Sequence, residues 1–166
     1  SSQIEDLFCV AQKAGITLCC GFQRRFDSSY VSAASAVKTG KIGRPVYANI
    51  FFGDHPCPPK EFLLSGGNIF MDLSAHDVDY IMDVLDDVVV SVYATGTSST
   101  PELEAAGVHD NATMMMTFSK GTVATLFMSR SATYGYDQRC EIFGDKGMIS
   151  VGNESAHTSV LSNCEG

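Results

Sequence analysis

Positive charge is what this chain has least of. Against 19 Asp and Glu it carries 11 Lys and Arg, a formal net charge of −8. A field of that sign repels phosphate backbones and anionic lipid headgroups, so nucleic acid and membrane surfaces are poor partners. Long apolar runs are also missing. Stretches such as Val88-Val89-Val90 and Val92-Tyr93-Ala94 fall far short of the roughly 20 residues that a bilayer span requires. Residues 1 to 20 carry Glu5 and Asp6 in an amphipathic pattern, not a basic start followed by an unbroken apolar core, so they do not read as a secretory signal. Export is not expected, and the expected compartment is the cytoplasm. Without a signal, the triplets Asn111-Ala-Thr and Asn153-Glu-Ser have no glycosylation mechanism behind them. The six cysteines (Cys9, Cys19, Cys20, Cys57, Cys140, Cys164) include no Cys-x-x-Cys pair. A chain of this size needs no disulfide framework, and they read as reduced, mostly buried thiols. No Gly-x-Gly-x-x-Gly occurs either, so no strand-glycine-helix unit is present to bind a pyrophosphate.

What is present suits one globular domain. Its 166 residues are 45% apolar and 10% aromatic, enough to bury a core. Ser2 and Glu5 form a capping-box pattern ahead of Ile4, Leu7, Phe8 and Val10, so the chain opens inside a helix that Gly15 ends. Ile16 to Cys20 reads as a short buried strand delivering Arg24 and Arg25 to an edge. Asp27 can cap a second helix through about Lys38, with Gly40 as its stop. Pro45 starts a strand in which Val46, Ala48, Ile50 and Phe52 share a face, and a proline-rich loop, Asp54 to Pro59, follows. After Gly66-Gly67 the spacing of Met71, Val78, Ile81, Met82 and Leu85 predicts a helix of about 18 residues with a core stripe.

Beyond that helix the period changes to two, predicting strands near 88 to 95, 110 to 118, 122 to 130, 138 to 143, 147 to 151 and 157 to 162. Ser119-Lys120-Gly121 and Asp145-Lys146-Gly147 read as tight hairpin turns between antiparallel neighbours. The class this implies is α+β: a large, mostly antiparallel sheet with helices covering one face, in a single domain over residues 1 to 166. The faces Ala112/Met114/Met116/Phe118 and Ala124/Leu126/Met128 would serve either as the core beneath those helices or as an interface with another subunit.

The chemistry concentrates on the long helix. Asp72 and His76 are four residues apart, on one helical face that Asp79 and Tyr80 continue. A carboxylate beside an imidazole can hold a tautomer and keep a proton acceptor ready near neutral pH. Such a pair could take the proton of a substrate hydroxyl; it could equally be a surface or capping contact. No opposite charge accompanies Asp72, Asp77, Asp79 and Asp83 in the local sequence. Part of the helix is therefore expected to face a polar cleft, while Asp77 and Asp83 are expected to solvate its outer face. A metal-dependent hydrolase or lyase using Asp72, His76 and a remote His55 or His109 is a competing reading, although closed metal sites show tighter ligand spacing, and no metal is expected.

Four segments carry a resemblance. They are Gly21-Phe22-Gln23-Arg24-Arg25-Phe26-Asp27-Ser28-Ser29-Tyr30; Gly40-Lys41-Ile42-Gly43-Arg44-Pro45; Ser65-Gly66-Gly67 on through Asp72-Leu73-Ser74-Ala75-His76-Asp77-Val78-Asp79; and Tyr134-Gly135-Tyr136-Asp137-Gln138-Arg139-Cys140-Glu141-Ile142-Phe143-Gly144. In order and spacing they resemble the C-terminal domain of Gfo/Idh/MocA oxidoreductases, and within that family the inositol 2-dehydrogenase-like members. The resemblance implies a substrate-binding and oligomerisation domain of an NAD(P)-dependent enzyme acting on the CH-OH group of a polyol or sugar. It implies His76 as acid/base and Asp72 as its partner or a substrate-hydroxyl ligand. It places Arg24, Asp79 and Tyr136 on the substrate side, and it implies a homo-oligomer formed through the sheet face.

The departures matter as much. The family's glycine fingerprint and its Glu-Lys-Pro lysine are absent, Gly53-Asp54-His55-Pro56 stands where the family has Arg-Asp-Pro, and residues 1 to 21 would be the edge of a missing nucleotide-binding domain. NAD or NADP is implied for the intact enzyme, with none expected to bind this chain tightly. The chain alone is expected to be inactive, and a non-catalytic assembly domain is the second alternative.

Overall fold

Asp27 starts the second helix, as its chemistry predicts. In a computed structural model of the chain, which describes residues 2–65 and 68–153, its carboxylate accepts from the backbone N–H groups of Ser29 and Tyr30. Helix α1 runs Ser2–Ala14, a short 3-10 turn spans Gln23–Arg25, and α2 spans Ser28–Lys38. Strand β1, Pro45–Gly53, leads into α3 (Lys60–Ser65), α4 (Ile69–Asp72) and α5 (Ser74–Leu85). Then come β2 (Val89–Thr97), α6 (Pro101–Ala105), β3 (Asn111–Phe118), β4 (Val123–Ser129), β5 (Asp137–Gly144) and β6 (Met148–Val151).

The six strands form one sheet in the order β2-β3-β4-β1-β5-β6. Only β1 and β4 pair in parallel; the other four pairings are antiparallel. The architecture is thus the α+β sheet with helices on one face, and both hairpins fall at the glycine turns. Alternation decides which face is core. Ala48 and Ile50 of β1 and Ala124, Leu126 and Met128 of β4 have no exposed surface, and Ala112, Met114, Met116 and Phe118 of β3 join them beneath α2 and α5. These residues are therefore the core, which removes them as a subunit interface. The face of opposite parity, with Tyr47, Phe51, Met115 and Phe127, has no helix over it among the described residues.

Several expectations are corrected. Residues 16 to 20 form no strand, and Ile16 and Leu18 are exposed, because no neighbouring strand edge offers its backbone groups to them. Val46 is exposed although Ala48, Ile50 and Phe52 are buried, since the β1–β5 register shifts between Pro45 and Tyr47 and a shift of one residue reverses the face. The long helix is interrupted at Leu73, between α4 and α5, and Met71 is exposed rather than part of its stripe. Cys140 is buried, but Cys9, Cys19, Cys20 and Cys57 are exposed, all five as free thiols. The strand expected at 157 to 162, the Cys164 thiol and the Gly66-Gly67 pair lie outside the described residues.

Candidate functional site

Asp77, not Asp72, is the carboxylate that the fold encloses. It lies on the buried face of α5 with Tyr80, Ile81 and Val84, four and seven residues from the last two, which is helical core spacing. Its side chain has no exposed surface, and Arg24 Nε lies 3.2 Å from its Oδ1. The expectation that Asp77 solvates the outer face is therefore overturned: a charge on a core stripe can be kept only beside an opposite charge and a hydrogen-bond donor. Gln138 of β5 supplies the donor, its Nε2 donating to Asp77 Oδ1 at 3.1 Å, while its Oε1 accepts from Arg24 Nη2 at 2.5 Å. The Arg24 guanidinium also lies 5.0 Å from the centre of the Phe52 ring. Burial outweighs both partners at Asp77 and pushes its carboxyl up to about 6.

The aspartates that sequence left without opposite charges all have them. Asp79 is gripped at both oxygens by Arg25, each bond 2.7 Å. Asp83, which does remain on the surface, takes Arg25 and Lys38. Asp72 accepts from Nη2 of Arg130, a fully buried arginine that follows β4 and lies against the Phe62 ring. Each of these cations comes from outside α4 and α5, so the local sequence could not reveal them.

His76 is half-buried at the first turn of α5. Its ring stands edge-on to Phe22, with 6.2 Å between centroids and an interplanar angle of 86°. Its Nδ1 is buried with no hydrogen-bond partner among the described residues. Burial, then the Arg24 charge, lower its pKa from the usual histidine value, against smaller opposing effects of Asp72 and Asp79. A neutral imidazole near pH 7 can accept a proton from a hydroxyl that reaches a ring nitrogen, although the buried Nδ1 is closed to one in this arrangement.

The sequence-predicted residues are thus only partly assembled. Arg24 and Tyr136 line one cleft of about 280 Å³ together with Gln23, Asp27, Gln138 and Asn153. Tyr136 is exposed, edge-on to Phe52 with centroids 5.8 Å apart, and burial raises its phenol. His76 does not line this cleft; its ring meets Phe22, and it lies near enough to Arg24 to feel that charge. Asp72 is close enough to act on the charge of His76, but its hydrogen bond goes to Arg130. Asp79 faces Arg25. Sequence reasoning missed Phe22, Gln138 and Arg130. Only Asp77 left a signal, in its helical spacing from Ile81 and Val84.

Metal or dinucleotide chemistry finds no seat in these residues. Among the described residues no group of three or more His, Cys, Asp or Glu could hold a metal ion; His55 Nδ1 instead pairs with the Ala132 carbonyl at 3.0 Å. Among the described residues no glycine-rich turn opens a helix onto the cleft, so they do not supply the backbone N–H groups that bind a pyrophosphate. No helix among the described residues is long and apolar enough to cross a membrane.

A six-stranded sheet with helices on one face and a polar cleft at their edge defines an α+β domain. The chain belongs to the GFO/IDH/MocA family, whose C-terminal domain matches residues 30–150. It is 36% identical over 156 residues to myo-inositol 2-dehydrogenase of Thermotoga maritima, covering 93% of this chain and 47% of that one. A crystal structure of a probable dehydrogenase from Thermotoga maritima superposes with a TM-score of 0.86 at 34% identity, over 99% of this chain and 50% of that one. Scyllo-inositol dehydrogenase from Lactobacillus casei, solved with NAD(H) and scyllo-inositol, superposes with a TM-score of 0.78 at 32% identity, over 95% of this chain and 48% of that one. The chain spans about half the length of the relatives it matches.

Proposed function

We propose that this chain is the substrate-side part of an NAD(P)-dependent dehydrogenase that oxidises a CH-OH group of an inositol or related polyol. The observation that carries the reading is His76: a half-buried imidazole held neutral by burial and by Arg24, the arginine that lines the cleft. In this reading His76 takes the hydroxyl proton, Asp72 sits beside it under the control of Arg130, and Arg24 and Tyr136 form the polyol cleft. Asp79 serves the cleft from its edge once Arg25 orients it. In this reading the hydride acceptor is held outside the described residues, by a part of the relatives that this chain does not span. A cytoplasmic setting, where nicotinamide cofactors are supplied, goes with this reading.

The experiment is a fusion of the chain behind the nucleotide-binding half of the Thermotoga maritima relative. Nicotinamide reduction should follow addition of myo-inositol or scyllo-inositol, and His76→Gln should abolish it. A fusion that folds and binds NAD but reduces none with any inositol would sink the reading. Turnover by the 166 residues alone would overturn the requirement for a second half.

We further propose that the open sheet face carrying Tyr47, Phe51, Met115 and Phe127 packs on a second subunit. Its supporting observation is apolar surface that no helix among the described residues covers. That surface also supports the second reading, an assembly domain without catalysis, which the fusion experiment separates from the first.

A further inference from the structure

Asp77 has no part in the chemistry just proposed, yet it is the most enclosed carboxylate described in the chain. Its partner Arg24 belongs to the 3-10 turn Gln23–Arg25, and the residue before that turn is Phe22, whose ring meets the ring of His76. Two arginines tie the turn to α5: Arg24 reaches the buried face at Asp77, and Arg25 reaches the surface at Asp79 and Asp83. The two ties are unequal. Exposed ion pairs are screened and exchange with water, whereas a pair excluded from solvent and completed by a third side chain fixes geometry. Gln138 completes it from β5, on the strand that Tyr136 precedes.

We propose that Asp77 is a positioning residue: by holding Arg24 it seats the 3-10 turn against α5, and so sets Phe22 against the His76 ring. The inference rests on the reading of His76 as the proton-handling group, but its test needs no substrate. The groups facing His76 are Phe22 and Arg24 from the turn, Asp72 from α4 and Asp79 from α5. Those facing Asp77 are Arg24, Gln138, Cys140, Tyr30 and Tyr136. A simple loss of negative charge beside Arg24 would leave that cation uncompensated and drive the His76 titration lower. Release of the turn would carry both Arg24 and Phe22 away, and the titration would rise toward the usual 6.5. The two outcomes have opposite signs.

The experiment is an NMR titration of the histidine ring protons in the 166-residue chain, with His76 assigned by its loss in His76→Gln. In Asp77→Asn the His76 midpoint should rise and the Phe22–His76 ring cross-peak should vanish, while Asp77→Glu, which keeps the charge, should restore part of both. A midpoint that stays or falls, with the cross-peak kept, overturns the proposal. If Asp77→Asn does not fold, the charge-free pair Arg24→Met/Asp77→Leu replaces it, since removing both members of a buried pair together is tolerated. There the cross-peak decides: its loss supports the proposal, and its persistence overturns it. Failure of the fusion to reduce NAD with any inositol would count against the dehydrogenase reading and leave this result standing.

Discussion

Arg24 and Asp77 face each other at 3.2 Å with side-chain exposures of 6% and 0%, an ion pair closed off from water at the base of the candidate site. Burial raises the Asp77 carboxyl from 3.8 to about 6, so the folded chain holds that proton more tightly than the unfolded chain. The sign follows. The contribution of Asp77 to stability is fully present below pH 3.8 and is lost as the pH rises to about 6. A displacement of about two units corresponds to roughly 3 kcal/mol. Urea denaturation at several pH values should show that Asp77→Asn removes this downward slope. A slope identical in the wild type and the variant would contradict the burial argument.

His76 works in the opposite direction. Its folded-state pKa is lowered, by burial first and by Arg24 second, so the unfolded chain takes the proton more readily. Its contribution is therefore intact above pH 6.5 and is lost as the pH falls below that value through the lower folded-state pKa. The two groups tilt the stability curve against each other in the acid range, and each must be read as a difference between the wild type and one variant. His76→Gln should make the chain less sensitive to acid as the pH falls below 6.5. The same denaturation series checks it, and an increase in acid sensitivity would contradict the lowered titration.

How far the sequence revealed this arrangement depends on where each partner comes from. Alternation along β3 and β4 showed which residues share a face, and Asp27 announced its own helix, because both signals are local. The cations facing Asp72, Asp77, Asp79 and Asp83 are not local. Arg130 and Asp72 are 58 positions apart, and Arg24 and Gln138 are 114 apart, so only the closed sheet brings them together. Asp77 was assigned to the surface because an aspartate is usually solvated, although its spacing from Ile81 and Val84 placed it inward. The break at Leu73 separated Asp72 from the helix carrying His76, and their shared face became two different contacts.

The uncovered sheet face makes a separate claim. Phe51 and Phe127 stack there with centroids 4.7 Å apart at 29°, on adjacent strands whose other faces are core. If a second subunit covers them, Phe127→Lys should shift sedimentation of the chain toward the monomer. It should change unfolding free energy measured at low concentration by no more than about 1 kcal/mol, as for a surface substitution. A sedimentation coefficient equal in wild type and variant would remove the interface.

Arg24 and Arg25 are consecutive in sequence but meet different surroundings, which gives them different expected costs. Arg25 is exposed and shares Asp79 and Asp83 with water and with Lys38, so Arg25→Ala should cost about 1 kcal/mol or less. Arg24→Ala strips the buried Asp77 carboxylate of its counter-ion, a loss of about 3–5 kcal/mol when the carboxylate must stay charged. That cost has an escape, because a carboxyl already raised to about 6 can take a proton and become neutral. The destabilisation by Arg24→Ala should therefore be large at neutral pH and shrink as the pH is lowered below about 6, while that of Arg25→Ala should change little. Chemical denaturation of both variants at neutral and acidic pH makes the comparison. Equal costs at neutral pH would mean that the buried pair is no stronger a tie than the exposed one.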